Sequence, residues 1–155
     1  MRRRLATAFS LLVVVSMLAT ACGQNEAPRY EPPPRAEEPA VDIVGPWRLI
    51  EGTVDSAPVV EAPDLPITVV FTATTAGGSA GCNGYTATST VSGSQITLSN
   101  FVITEIACDD QDAAIAEDRF LAGLRRIREV ADDEGTLVLS GSGVELRLRP
   151  GRAGN

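Results

Sequence analysis

A period-two alternation of apolar and polar side chains, in short runs, restricts this chain more than any other feature. Val144, Leu146 and Leu148 alternate with Glu145, Arg147 and Arg149, while Ile67, Val69, Phe71 and Ala73 alternate with Thr68, Val70 and Thr72. Successive side chains of a strand point to opposite faces, so these runs specify strands with one buried face. Similar runs lie at 47–51, 85–91, 95–99, 101–106 and 136–140, and Gly77-Gly78, Ser92-Gly93 and Gly141-Ser142-Gly143 act as turn signals. Connections this short require antiparallel pairing, because a parallel pair needs a crossover of about a dozen residues.

One segment departs from that rhythm. From Asp112 to Val130 the apolar positions Ala113, Ala116, Phe120, Leu124 and Ile127 recur every three or four residues, which predicts a helix over 112–130 with one buried stripe. Asp109, Asp110 and Asp112 at its start, and Arg125, Arg126 and Arg128 near its end, complement the helix dipole. Asp132-Asp133-Glu134-Gly135 then reads as a polar turn. The predicted class is α+β: a curved antiparallel β-sheet, or a small partly open barrel, with one helix packed on it between the fifth and sixth strands.

The alternation begins only near residue 45. Ahead of it, Arg2, Arg3 and Arg4 precede an apolar run from Leu5 to Leu18, then Ala19, Thr20, Ala21 and Cys22. That run is short of the roughly 20 residues a membrane helix needs and suits an export signal. The stretch Leu18-Ala19-Thr20-Ala21-Cys22 resembles the lipobox of bacterial lipoproteins, with Ala19 where that motif usually holds Leu. The resemblance implies cleavage before Cys22 and a lipid (diacylglycerol, with palmitate-type acylation) attached there. Residues 23–44 carry Pro28, Pro32, Pro33, Pro34 and Pro39 among Glu31, Glu37 and Glu38, a composition that buries no core and favours an extended spacer. The expected organisation is a lipoprotein signal peptide at 1–21, a Pro/Glu-rich tether at 22–44, one folded domain at 45–150 and a disordered tail at 151–155. The expected location is the extracytoplasmic face of the cell membrane or envelope, through the lipid anchor.

Charge narrows the function classes. The formal charge is −7; without the three signal arginines, 10 Arg stand against 20 Asp and Glu, a net −10. Such a chain carries no electrostatic footprint for nucleic acid, and as a whole it is repelled by an anionic membrane. The sequence contains no His, so neither a Ser-His-Asp triad nor a His-based zinc cluster can be assembled. Gly77-Gly78-Ser79-Ala80-Gly81 lacks the Lys and following helix of a phosphate loop, and neither Asp109–Asp112 nor Asp132–Gly135 has the ligand series of a calcium loop. No catalytic residue, metal or cofactor is expected, and the domain is expected to be a monomer.

With Cys22 assigned to lipid, Cys82 and Cys108 remain. An even remainder outside the cytoplasm favours a disulfide over a reactive thiol, for which no activating His is present. Closing a loop of roughly 25 residues is worth about 3–4 kcal/mol in the chain-entropy treatment. Gly81 and Gly84 permit backbone conformations closed to other residues, and Asn83-Gly84 is a favourable tight-turn pair. Asn83 is expected to bond the turn backbone, and Trp47 and Tyr85 to pack in the core or at its rim.

Around these cysteines the order of motifs becomes recognisable. Gly81-Cys82-Asn83-Gly84-Tyr85 follows a strand and a glycine-rich turn; Thr104-Glu105-Ile106-Ala107-Cys108 comes next, then a helix with Phe120 and Leu124, and Trp47-Arg48-Leu49 opens the domain. This resembles the META domain, or HslJ-like, family over residues 45–150, with Glu105 at a usually basic position and Ile106 at a usual Met. The resemblance implies a compact β-rich fold with one helix, in envelope or secreted proteins tied to stress tolerance, motility or secretion, and it supplies no catalytic residues. The fold is also similar to the cracked barrel of secretion pilot lipoproteins, which can hold a lipid tail. The leading expectation is therefore a non-enzymatic envelope lipoprotein that binds an envelope protein or lipid or supports envelope integrity. The alternatives are a lipid-tail carrier and a docking or inhibitory module for a basic secreted protein.

Overall fold

A computed structural model describes residues 41–60 and 65–152. The signal segment, Cys22 and nearly all of the tether lie outside the described residues, as do 153–155 of the tail. The described chain forms β1 (Gly45–Val54), β2 (Ala57–Pro58), β3 (Thr68–Phe71), β4 (Thr75–Ser79), β5 (Gly84–Ser92), β6 (Gln95–Ile103), helix α1 (Gln111–Leu124), β7 (Ile127–Asp133), β8 (Thr136–Gly141) and β9 (Val144–Pro150). Every pairing is antiparallel, and the order β1-β3-β4-β5-β6-β7-β8-β9 returns to β1. Eight strands thus close into a barrel, and β2 adds to β1 only at Thr53 and Val54.

The β-rich architecture with one helix is as expected, but closure corrects the expectation of a curved sheet or a partly open barrel. From Trp47 opposite Pro150 to Val54 opposite Val144, β9 runs along β1 and leaves neither strand as a free edge. The thinnest seam lies between β6 and β7, which meet at Gln95 and Glu129, helped by Val130 N–H donating to the Ser94 carbonyl at 2.8 Å. The helix is the connection between those two strands. It lays Ala116, Phe120, Leu121 and Leu124 into the same buried cluster as Phe71, Ile96, Leu137, Leu146 and Leu148. Each large apolar side chain so buried contributes about 1.5–3 kcal/mol.

Three local departures have physical causes. The helix ends at Leu124, and Ile127–Asp133, expected to be partly helical, is strand β7. A register shift between Ile127 and Glu129 brings both Ile127 and Val130 inward, so a bulged strand imitates the helical spacing of three. Residues 95–99 and 101–106 are not two strands: β6 spans the first run and half of the second, ending at Ile103. Asn100, with φ of 53°, reverses the phase of its alternation where β5 and β6 slip register. Gly77-Gly78 is not a turn but the middle of β4. A Cβ on Gly78 would lie 2.3 Å from the Thr68 carbonyl oxygen, so glycine there permits close backbone approach between strands. In β1, the bulge between Leu49 and Glu51 leaves Ile50 and Glu51 both exposed.

Candidate functional site

The motif around the two cysteines converges at one end of α1. Cys82 and Cys108 are joined by a disulfide with Cα atoms 6.0 Å apart, a separation typical of such links. Gly81, with φ of +115°, turns the chain after β4, and Gly84 opens β5 without needing a left-handed backbone. The expectation that Asn83-Gly84 forms the tight turn is therefore corrected: the turn spans 81–83, closed by Ala80 N–H donating to the Asn83 carbonyl at 2.8 Å.

Asn83 reaches much further than its own turn. It is 5% exposed, so its amide must find partners within the protein. Its Oδ1 accepts from Ile106 N–H at 2.7 Å and from the Thr104 hydroxyl at 2.8 Å. Its Nδ2 donates to the Ile106 carbonyl at 3.2 Å and to Glu117 Oε1 at 3.0 Å. The other Glu117 oxygen accepts the Asn83 backbone N–H. Thr104 in turn accepts from Gly84 N–H at 3.1 Å. One amide thus ties together the β4–β5 turn, the loop after β6 and the helix, beside the disulfide that fixes the same turn and loop covalently.

Glu117 is the partner that sequence reasoning missed. It lies four residues from Ala113 and three from Phe120, on the buried side of the helix. A carboxylate within an apolar stripe is a signal that a buried donor waits opposite. The ligand atoms of Cys82, Cys108 and Glu117 lie within 4.8 Å of one another. Because both sulfurs are spent in the disulfide and the carboxylate is held by Asn83, this group offers no thiolate to a metal.

The other expected features serve the fold. Tyr85 is 3% exposed, donates its hydroxyl to the Thr68 carbonyl at 3.1 Å and meets Phe120 edge-on at 5.8 Å. Burial pushes its phenol far above the ordinary range. Trp47 is half-buried against the core, its indole N–H donating to the Ile43 carbonyl at 2.7 Å. Asp110 caps the helix through Asp112 and Ala113 N–H groups, Asp132 accepts from Gly135 N–H at 3.0 Å, and Asp133 pairs with Arg147 at 2.6 Å. Both acidic groups considered for calcium thus have structural work. Arg126, expected near the end of the helix, lies beyond it, binds Asp55 at 2.7 Å and donates to the Ser142 carbonyl, joining the β1–β2 and β8–β9 turns. That guanidinium holds the Asp55 carboxyl below its ordinary value.

A family model described as META domain matches residues 41–151. No curated protein matches the chain. Among solved structures, a protein from Burkholderia xenovorans determined by NMR is similar at 20% identity and a TM-score of 0.57, over 70% of this chain and 82% of that one. A crystal structure of a DUF4847 family protein from Bacteroides vulgatus is similar at 15% identity and a TM-score of 0.51, over 71% of this chain and 94% of that one. At these identities the likeness concerns the fold.

Proposed function

The chain belongs to the META domain family, and on that premise we propose that it works as a non-catalytic, lipid-anchored domain of the bacterial cell envelope. Its role in this reading is to bind or brace an envelope component while Cys22 holds it at the membrane. The observation that carries the proposal is how fully the family motif is consumed by the fold. Both cysteines are in a disulfide, all hydrogen-bonding positions used by Asn83 run to neighbouring structural groups, and Glu117 is occupied by Asn83. A side chain engaged in this way stiffens a scaffold and has nothing left to offer a substrate. A disulfide of this kind also persists in an oxidising compartment rather than in the cytosol.

The carrier alternative draws no support from the barrel interior. Phe71, Phe120, Ile67, Leu124, Leu137, Leu146 and Leu148 are all less than 2% exposed, so their surfaces border no water-sized space that an acyl tail could enter.

Cell fractionation tests the proposal. Full-length protein made in a bacterial host should sediment with membranes and be cut by protease added outside spheroplasts, and Cys22→Ala should move it to a soluble or unprocessed pool. Recovery of the unaltered chain from the cytosol, protected from protease, would contradict the reading.

A further inference from the structure

Eight arginines lie among the described residues, and five of them are engaged. Arg126 pairs with Asp55, Arg147 with Asp133, Arg119 donates to the Pro58 carbonyl and Arg128 to that of Arg125, while Arg125 sits 4.9 Å over the Phe101 ring. Arg48, Arg149 and Arg152 have no partner among the described residues, and these three share one groove. It has a volume of about 590 Å³ on the barrel's outer wall, and no acidic side chain lines it. Arg48 stands directly opposite Arg149 across the β1–β9 pairing, an arrangement of like charges that weakens a sheet. An acidic chain has ample means to neutralise that pair and here does not.

Apolar groups complete the groove. Trp47 lines it with Ile50 and Val70, which are 46% and 45% exposed. Trp beside arginines and exposed aliphatic groups is the composition of a membrane-interface surface. The groove also lies where the tether enters: Pro46 begins it, and Gly151 N–H donates to the Pro46 carbonyl at 2.8 Å, bringing the two ends of the domain together.

We propose that this groove is a docking face for anionic phospholipid headgroups. Arg48, Arg149 and Arg152 take the phosphates, and Trp47, Ile50 and Val70 rest at the acyl boundary. The proposal rests on the reading that Cys22 is lipidated, which keeps the face within reach of the bilayer. The remaining acidic surface is repelled by the same membrane, so the domain is oriented as well as held.

Trp47 is the chain's single tryptophan and reports on this face directly. The lipidated protein is placed in vesicles of phosphatidylcholine alone or mixed with phosphatidylglycerol, with brominated acyl chains as quenchers. Quenching of Trp47 should be strong only with phosphatidylglycerol and should fade with added salt. A chain starting at residue 22 and carrying Cys22→Ser is tested in parallel by sedimentation with the same vesicles. Each arginine near an anionic surface strengthens binding about fivefold, so combined Arg48→Gln, Arg149→Gln and Arg152→Gln should weaken it on the order of 100-fold. Removing like charges should leave the melting temperature of that variant unchanged or higher, which separates lost docking from lost folding. Equal quenching in both vesicle types, or no effect of the three substitutions, overturns the proposal. Binding to soluble polyglutamate without binding to vesicles overturns it as well, in favour of an acidic protein. An unmodified Cys22 by mass overturns only the anchor, and the Cys22→Ser sedimentation still decides the groove.

Discussion

Replacing Asn83 by aspartate changes one atom type and should make the variant's stability rise as the pH falls from about 7 to 5. The amide nitrogen donates to Glu117 Oε1 at 3.0 Å and to the Ile106 carbonyl at 3.2 Å. In Asn83→Asp a carboxylate oxygen takes its place against the Glu117 carboxylate. Two unit charges about 3 Å apart repel by roughly 5 kcal/mol at an effective dielectric of 20. Protonating one carboxyl of ordinary pKa near 4 costs about 4 kcal/mol at pH 7. Protonation is the smaller cost, so the pair takes up a proton and the penalty settles near 4 kcal/mol at pH 7. A carboxyl whose folded-state pKa lies above its unfolded value costs stability at high pH and releases that cost as the pH falls through the folded value. The variant should therefore gain about 1.4 kcal/mol per pH unit between about pH 7 and pH 5. Asn83→Ala removes four side-chain hydrogen bonds, one to a charged group, and should cost about 3–5 kcal/mol with no such slope. Urea unfolding across that range, with the disulfide intact, measures both. An Asn83→Asp variant that loses under about 1 kcal/mol at pH 7, or shows no gain on acidification, would refute the Asn83–Glu117 contact.

Other parts of the fold make separate predictions. Loss of the Cys82–Cys108 link, which spans a sequence separation of 26, should cost about 3.5 kcal/mol by loop entropy and lower the melting temperature by roughly 15–25 °C, read by calorimetry with and without reductant. Gly78→Ala drives a methyl against the Thr68 carbonyl oxygen and should cost about 3 kcal/mol or more, whereas Gly93→Ala, with open space around it, should cost only about 1 kcal/mol for its left-handed backbone. Asp55, lowered by Arg126, contributes stability that is in place above the ordinary carboxylate value near 4 and is lost as the pH falls through its lower folded value. Arg126→Gln should therefore flatten the acid limb of the stability profile.

Strands β3 and β9 are legible in the amino-acid order because their alternation is uninterrupted, and Val144, Leu146 and Leu148 are all buried as their spacing requires. The Cys82–Cys108 pair is legible by elimination, since only these two thiols remain after Cys22. Strand β4 is not: Thr75, Gly77 and Gly78 offer few side chains to alternate, and what makes them a strand is the tight approach of Thr68. Strand β7 misleads because a bulge gives Ile127 and Val130 helical spacing. Closure is invisible to local pattern, since β1 and β9 are separated by nearly the whole domain and only their long register unites them. Within the site, Asn83 is marked by its motif, but its partners are Ile106 and Glu117, 23 and 34 residues away. Distance along the chain, rather than weak chemistry, hides that contact.

Intact mass of the protein isolated from a bacterial envelope tests the proposed lipidation of Cys22 and the Cys82–Cys108 disulfide at once. The predicted species begins at Cys22, carries diacylglycerol on that residue, and lacks two hydrogens because Cys82 and Cys108 are bonded. A chain that keeps residues 1–21, an unmodified Cys22, or alkylatable thiols at Cys82 and Cys108 without prior reduction would contradict it.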